Sequence, residues 1–200
     1  MMRAVMPEIP QFVLDWRKKT GAEMWDEMWD GVLHMTPSPN RTQQDFKGEL
    51  EYWLRNCWTR PFGNKVYHEI NVASPGGWPN NYRIPDLVLL KPDCFHIDRD
   101  EYFEGAPTVV VEIRSPGDET MEKLPFYAQL GVPEVWVIDR DTKVPTLYCL
   151  HSGEYKEESA KQDGWLHSPA TGVCLRHEPP NKIAIQLGED QSTRRVLPEA

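Results

Sequence analysis

The chain has 200 residues and a formal net charge of -9, from 22 Lys and Arg against 31 Asp and Glu. This length suits one well-buried domain and is too short for two large ones. No apolar run reaches the roughly 20 residues that a membrane span needs, and the N-terminal residues lack the apolar core of a secretory signal. We therefore expect a cytoplasmic protein without membrane contact.

The acidic balance argues against a surface that binds polyanions in general, because affinity for nucleic acid depends on Lys and Arg that neutralise phosphates. A DNA enzyme of this composition would need a local basic patch. Five residues could form such a patch, although the pattern favours a solvated helix face and loop instead: Arg41, Lys47, Arg55, Arg60 and Lys65.

The N-terminal quarter predicts a helix, a hairpin and a longer helix. Residues 10–19 have the spacing of a short amphipathic helix. Asp30-Gly31 lies between two apolar runs and suits the positive φ angles of a two-residue hairpin turn. Asn40 is placed to cap a helix, and apolar residues recur over 46–57 on one helical face.

The remaining chain predicts a mixed sheet. Short apolar runs, rich in β-branched residues, predict strands at 66–72, 84–90, 108–115, 135–138 and 144–150. A helix over 118–130 is a natural crossover for a parallel pair. We expect peripheral strands within 151–187 and a loose polar tail at 188–200. The predicted organisation is one domain, 1–187, with its core at 12–150 and of α/β (α+β mixed) type: a mixed β-sheet flanked by helices, with an N-terminal helix and hairpin.

Two acidic residues stand at the edges of strongly β-forming runs. Asp86 lies near the start of one run, and Glu112 lies near the end of the next. Burying an unpaired carboxylate costs on the order of several kcal/mol, so such an acid is salt-bridged, protonated or bound to a cation. If the two strands are neighbours, both carboxylates can converge on Mg²⁺ or Mn²⁺, since these metals prefer hard oxygen ligands.

Two basic residues follow the second acid. Arg114 lies on the same side of the strand as Glu112, because side chains alternate along a strand, and could contact a phosphate there. Lys123, on the following helix, could reach the same site. The alternative is that Glu112 and Asp86 form salt bridges with Arg114 and Arg83 at the sheet edge. The spacing alone does not decide between these two interpretations.

Several motifs in a fixed order resemble a known family. They are the hairpin motif at 27–31, the Pro-rich segment at 35–39, Ile84-Pro85-Asp86, the run at 110–116, Lys123, Tyr127-Ala128 and the run at 131–139. Taken together, they resemble the Uma-two family of restriction endonucleases, a branch of the PD-(D/E)XK nuclease superfamily. The resemblance covers roughly residues 12–150.

The resemblance implies a restriction-endonuclease-like fold with a metal site. Asp86 and Glu112 would be metal ligands, the Ile113 carbonyl a further ligand, and Glu27 an accessory acid. The cofactor would be Mg²⁺ or Mn²⁺, and the substrate DNA.

Two positions depart from the pattern. The wider superfamily has a lysine two places after the second acid, where this chain has Arg114, and in this branch the lysine is displaced to the following helix, which matches Lys123. Because arginine stays protonated, we assign water activation or orientation to Lys123 and phosphate contact to Arg114. Arg41 stands near the place of a family histidine, so no role is carried over from that histidine.

These observations give a leading hypothesis and two alternatives. The first is a metal-dependent endonuclease that hydrolyses DNA phosphodiester bonds, paired by analogy as a homodimer so that two sites address two strands. The second is a catalytically inactive nuclease fold that acts as a binding or interaction module, suggested by Arg114 and the acidic charge. The third is a hydrolase that uses Asp86 and Glu112 as a proton-transfer pair.

Overall fold

The computed structural model describes residues 9–199. Residues 1–8, on which the expectation of no secretory signal depends, and residue 200 lie outside the described residues. The helices of the described part are α1 (Gln11–Thr20), α2 (Arg41–Leu54) and α3 (Thr120–Leu130). A π-helical turn, Arg55–Thr59, extends α2, and short 3-10 helices cover Ala22–Trp25 and Pro92–Ile97.

The strands of the described part form three sheets. In chain order they are β1 (Glu27–Trp29), β2 (Val32–His34), β3 (Lys65–His68), β4 (Asn71–Ala73), β5 (Tyr82–Arg83), β6 (Leu87–Leu90), β7 (Tyr102–Glu104), β8 (Val109–Arg114), β9 (Glu134–Asp139), β10 (Pro145–His151), β11 (Glu154–Glu157), β12 (Leu166–His167), β13 (Val173–Glu178), β14 (Lys182–Leu187) and β15 (Asp190–Leu197). The sheet orders are β2-β1-β5-β4-β7, β11-β10-β9-β8-β6-β3 and β12-β13-β14-β15.

The six-stranded sheet carries the two predicted acids on neighbouring strands. Asp86 directly precedes β6, Glu112 lies on β8, and β6 and β8 pair antiparallel. β8 and β9 pair in parallel and are connected by α3, which confirms the predicted crossover. The condition under which the two carboxylates can converge is therefore met.

The two faces of this sheet are covered by different elements. Leu50 of α2 packs in a cluster with Val111, whereas Tyr127 of α3 packs in a cluster with Val110. Because side chains alternate along β8, Glu112 lies on the α3 side with Val110.

The start of α2 and the hairpin turn lie where the sequence predicted them. The Asn40 side chain accepts a hydrogen bond from the Gln43 N–H at 2.9 Å and caps α2. In the hairpin turn, Asp30 and Gly31 have φ angles of 48° and 82°. The predicted N-terminal helix, hairpin and long helix are confirmed.

The predicted strand at 66–72 is wrong, because the chain turns in its middle. Glu69 has a φ of 49°, and β3 and β4 on either side of it belong to different sheets. The Glu69 N–H donates to the Asp86 carbonyl at 3.3 Å, outside the regular ladder. An apolar run alone does not reveal such a break, since Glu is not a residue that commonly takes this conformation.

The C-terminal segment differs from the sequence-based expectation. Residues 188–200 were expected to be loose, but β15 is a strand paired with β14. Its side chains are mostly exposed, which explains the polar sequence, while Leu197 is 2% exposed and belongs to the main core cluster. The strands within 151–187 are also not peripheral, because Leu175 and Ile185 are fully buried in that cluster. The single-domain organisation stays a prediction.

Two further observations concern the length of the helices and the cysteines. Over residues 9–199, every helix is too short or too polar to cross a membrane. The four cysteines, Cys57, Cys94, Cys149 and Cys174, are free thiols.

Candidate active site

Glu112 lies at the centre of a buried polar network. Its Oε1 accepts a hydrogen bond from the Tyr127 hydroxyl at 2.6 Å, and the Lys123 Nζ lies 3.3 Å from both carboxylate oxygens. Lys123 and Tyr127 are one turn apart on α3, so one helix face supplies both contacts. The Glu112 side chain is 4% exposed, and that of Lys123 is 12% exposed.

Glu27, on the first strand of the hairpin, binds the same lysine. Its Oε1 lies 2.7 Å from the Lys123 Nζ and accepts the Ile84 N–H at 2.8 Å. The Trp29 indole N–H donates to its Oε2 at 2.7 Å. The hairpin therefore brings the predicted accessory acid to the predicted lysine.

Two contacts attach the hairpin to α3 and its N-terminus. The Arg83 guanidinium lies between the rings of Trp29 and Phe126, 4.2 and 4.1 Å from their centroids. His34 and Glu119 form a 2.6 Å contact between β2 and the residue that precedes α3. Such cation–π contacts contribute about 1 kcal/mol each, so they help to hold Glu27 in place.

Asp86, directly before the interior strand β6, is held from two sides. The Ile113 N–H donates to its Oδ2 at 2.7 Å, and the Gln43 side-chain amide of α2 donates to its Oδ1 at 3.2 Å. The Ile113 main chain is thus within hydrogen-bond distance of this carboxylate. Together, Glu27, Asp86, Glu112 and Lys123 form what we call the acid–lysine cluster.

The charges of this cluster affect one another. Burial raises the pKa of Glu112 to about 8, with further increases from Asp86 and Glu27 that Lys123 opposes in part. Burial also raises the pKa of Asp86, whereas the hydrogen bond from the Ile113 N–H and the charges of Lys47 and Lys123 lower it in part. Burial alone would lower the pKa of Lys123, but Glu112 and Glu27 raise it above its ordinary value. The lysine is therefore an ammonium group at neutral pH.

A divalent cation fits this environment. Three carboxylic acids, Glu27, Asp86 and Glu112, share the ammonium group of Lys123, since Lys47, whose charge acts on Asp86, is itself paired with Glu69. The acids offer the hard oxygens that Mg²⁺ and Mn²⁺ prefer. Within residues 9–199, no three His, Cys, Asp or Glu side chains form a complete metal cage. A cation held by Asp86 and Glu112 would therefore need backbone or water ligands, as Mg²⁺ commonly does.

None of the contacts described above connects Arg114 to the acid–lysine cluster. It is exposed at the end of β8 and lies in register with Asp139 of β9. Burial would raise the pKa of Asp139, but hydrogen bonds from Thr142 and Asp141, together with the Arg114 charge, lower it. The salt bridges of Glu112 and Asp86 with Arg114 and Arg83, considered as the alternative, do not occur; Glu112 pairs with Lys123 instead.

The candidate basic patch is divided between paired and solvated residues. Lys47 is buried and pairs with Glu69, and Arg55 pairs with Glu51 at 2.6 Å. The side chain of Arg41 is 89% exposed, with Asp45 at 3.8 Å. These three residues therefore do not form a dense basic surface.

Two residues of the site were not assigned a role from the sequence. Tyr127 is four positions after Lys123, so the helical period was a signal that it faces the same acid. Gln43 contacts Asp86 across 43 positions of sequence, and its sequence context indicated only the helix start at Asn40. No local pattern reveals a contact of that range.

The chain has a nuclease-like fold of mixed α+β type. A solved structure with the same fold is a putative nuclease belonging to DUF820 from Anabaena variabilis ATCC 29413. It has a TM-score of 0.58 and 16% sequence identity, and the match covers 72% of this chain and 82% of that chain.

The family model described as "Uma2: Putative restriction endonuclease" matches residues 10–175. The chain therefore belongs to the Uma2 family, as its motifs predicted. No curated protein matches the chain.

Proposed function

We propose that this protein is a metal-dependent endonuclease that hydrolyses phosphodiester bonds of DNA. The observation that carries the proposal is the meeting of Glu27, Asp86, Glu112 and Lys123 in one buried cluster, on elements far apart in sequence. Membership in a family described as putative restriction endonucleases adds to it.

Asp86 and Glu112 are the proposed ligands of Mg²⁺ or Mn²⁺, with the Ile113 carbonyl as a further ligand. When bound, such a cation polarises a phosphoryl oxygen and makes a bound water more acidic. The two carboxylates would compensate its charge, and the burial of Glu112, whose side chain is 4% exposed, limits the access of bulk water on that side of the site, while Asp86 is partly exposed.

Lys123 is assigned to orienting the attacking water or a phosphate oxygen. Because Glu27 and Glu112 raise its pKa, its ammonium group remains a hydrogen-bond donor at neutral pH and does not take up a further proton. Glu27 fixes the direction of this ammonium group through the 2.7 Å contact. Arg114, which is exposed, remains the candidate for contact with a more distant phosphate.

The test is cleavage of supercoiled plasmid DNA with Mg²⁺ or Mn²⁺. The wild type should nick or linearise the plasmid, and EDTA should stop it. Asp86→Ala and Glu112→Ala should each lower the rate by about 100-fold or more, since the metal supplies several kcal/mol of transition-state stabilisation. Equal rates in all three proteins would contradict the proposal.

One observation favours the second candidate, a catalytically inactive binding or interaction module. Arg114 replaces the lysine that the wider superfamily has at this position, and it lies outside the acid–lysine cluster. Calorimetry separates the two functions, because the module predicts no Mn²⁺ uptake at millimolar concentration. DNA as the partner, a homodimeric state and a cytoplasmic location are part of the first proposal and stay predictions.

A further inference from the structure

The inner face of α2 carries two polar residues directed at the Asp86 side of the cluster. Gln43 and Lys47 are four positions apart, so they lie on the same side of the helix. Gln43 is half-buried, and Lys47 is 4% exposed. Both are therefore part of the packed interior, in contrast to the exposed outer face of the same helix.

Gln43 acts on the Asp86 side chain. Its amide donates to Oδ1 at 3.2 Å while the Ile113 N–H donates to Oδ2 at 2.7 Å. A carboxylate on a short side chain can rotate about its last bond unless both oxygens have partners. The two donors, from a helix and from a neighbouring strand, fix the plane of the carboxylate.

Lys47 acts on the Asp86 main chain through a neighbour. Its ammonium group pairs with the Glu69 carboxylate, and the Glu69 N–H donates to the Asp86 carbonyl at 3.3 Å. Glu69 has a φ of 49°, a conformation that costs about 1–2 kcal/mol for a residue with a side chain. The contacts with Lys47 and Asp86 offset that cost and hold this turn in one conformation.

We propose that Gln43 is a positioning residue for the metal ligand Asp86, with the Lys47–Glu69 pair as the support of the main chain behind it. This inference rests on the proposed metal-dependent function. Gln43 would not touch the cation or the substrate; it acts by fixing the orientation in which Asp86 presents an oxygen.

The size of the effect follows from other metal sites. Groups that orient a metal ligand by a hydrogen bond change metal affinity by about 10–100-fold when they are removed. Gln43→Met keeps the length and most of the packing of the side chain and removes the amide donor. Its backbone N–H, which is bonded to Asn40, is unchanged.

The experiment is calorimetric titration of the full chain with Mn²⁺ alone. It compares the wild type, Gln43→Met, Asp86→Ala and the control Gln191→Met, which changes an exposed glutamine of β15. The midpoint of thermal unfolding without metal is measured for each protein. We expect Gln43→Met to bind Mn²⁺ about 10–100-fold more weakly than the wild type, with a metal-free midpoint equal to that of the control.

The outcomes separate the two proposals. A wild type that binds no Mn²⁺ would refute the proposed function. Wild-type binding that Asp86→Ala abolishes, together with unchanged affinity in Gln43→Met, would refute the role of Gln43 alone. A weaker affinity accompanied by a lower metal-free midpoint would show a merely structural role and also reject it.

A second variant keeps the test decisive if Gln43→Met does not fold. Gln43→Asn keeps an amide but is one methylene shorter, so it cannot span the same distance to Asp86. We expect a loss of Mn²⁺ affinity in this variant as well. Wild-type affinity in Gln43→Asn would contradict the proposal.

Discussion

Two buried glutamates on adjacent parallel strands have very different surroundings. Glu112 on β8 is 3% exposed and lies among Lys123 and two other acids, whereas Glu134 on β9 is 1% exposed and has no charged partner among its described contacts. Glu134 accepts hydrogen bonds from the Trp136 indole N–H and, at 3.1 Å, from the Ala170 N–H.

The comparison teaches that burial of a carboxylate does not by itself mark a site. The hydrogen bond from the Ala170 N–H to Glu134 joins the six-stranded sheet to the loop before β13, which is a structural role. Glu112 instead shares its environment with acids that its lysine compensates only in part. An accumulation of like charge, which destabilises the folded chain, is the feature typical of a functional site.

The strongest test of this difference is catalytic. We expect Glu112→Gln to lower plasmid cleavage by about 100-fold or more, because it removes a ligand charge, and Glu134→Gln to stay near the wild-type rate. Rates are measured with Mg²⁺ and with Mn²⁺, and circular dichroism checks that both variants are folded. If both variants lose activity equally, the distinction between the two glutamates fails.

The next effect is on the pH dependence of stability without metal. Folded Glu112 keeps its proton up to a pKa of about 8, whereas the unfolded chain releases it near the ordinary value of 4.5. Between these pH values the folded state binds more protons, so the free energy of unfolding falls as pH rises, by at most about 1.4 kcal/mol per pH unit.

Glu112→Gln should flatten this dependence. Burial also raises the pKa of Glu134, which adds a slope of the same sign, so the double variant Glu112→Gln/Glu134→Gln should be flatter still. Urea unfolding at several pH values measures the effect. A slope unchanged by Glu112→Gln would mean that this carboxyl group is ionised in the folded protein.

A matched pair of tryptophans should sharpen the comparison further. Trp136→Phe removes a buried donor to Glu134 and should lower the free energy of unfolding by about 1–3 kcal/mol, with Mn²⁺ affinity unchanged. Trp29→Phe removes the indole N–H that donates to Glu27 at 2.7 Å, and Glu27 in turn orients Lys123. This variant should lower the cleavage rate and lose less stability than Trp136→Phe. Denaturation and plasmid assays on both variants check this, and the reverse assignment of effects would contradict it.

The smallest expected effect concerns the hairpin that carries Glu27. Gly31 has a φ of 82° and open space around the position of an added Cβ, so Gly31→Ala introduces backbone strain without a clash. We expect a loss of about 1 kcal/mol in the free energy of unfolding. Thermal denaturation measures it, and an unchanged midpoint would show that the turn does not contribute to stability.

Much of the fold was predictable because its signals are local. The turn at Asp30-Gly31, the cap at Asn40 and the β-branched runs around Glu112 each depend on neighbours in sequence. The crossover between β8 and β9 followed from a helix between two apolar strands, and the structure has it. Lys123 and Tyr127 were accessible through the helical period.

The features of the fold and the site that the sequence did not predict depend on contacts between residues far apart in the chain. The break at Glu69 is stabilised by Lys47 and Asp86, which lie 22 and 17 positions away in sequence. The residues next to Glu69 therefore give no sign of it. The strand at Asp190–Leu197 has a polar sequence because most of its side chains are exposed, and its pairing with β14 uses backbone groups, which leave no apolar pattern to detect. Glu27 joined the predicted site only through the family resemblance, since nothing near it in sequence indicates metal chemistry.

The position of β15 constrains the order in which the protein can fold during synthesis. The Trp53 indole N–H donates to the Thr193 carbonyl at 2.6 Å across 140 positions, and Leu197 shares a cluster with Leu50 of α2. A nascent chain therefore exposes part of the inner surface of α2 until residues 193–197 have left the ribosomal exit tunnel. Until then this surface is accessible to chaperones that bind apolar segments. A chain released from the ribosome before β15 is synthesised would leave the surface exposed.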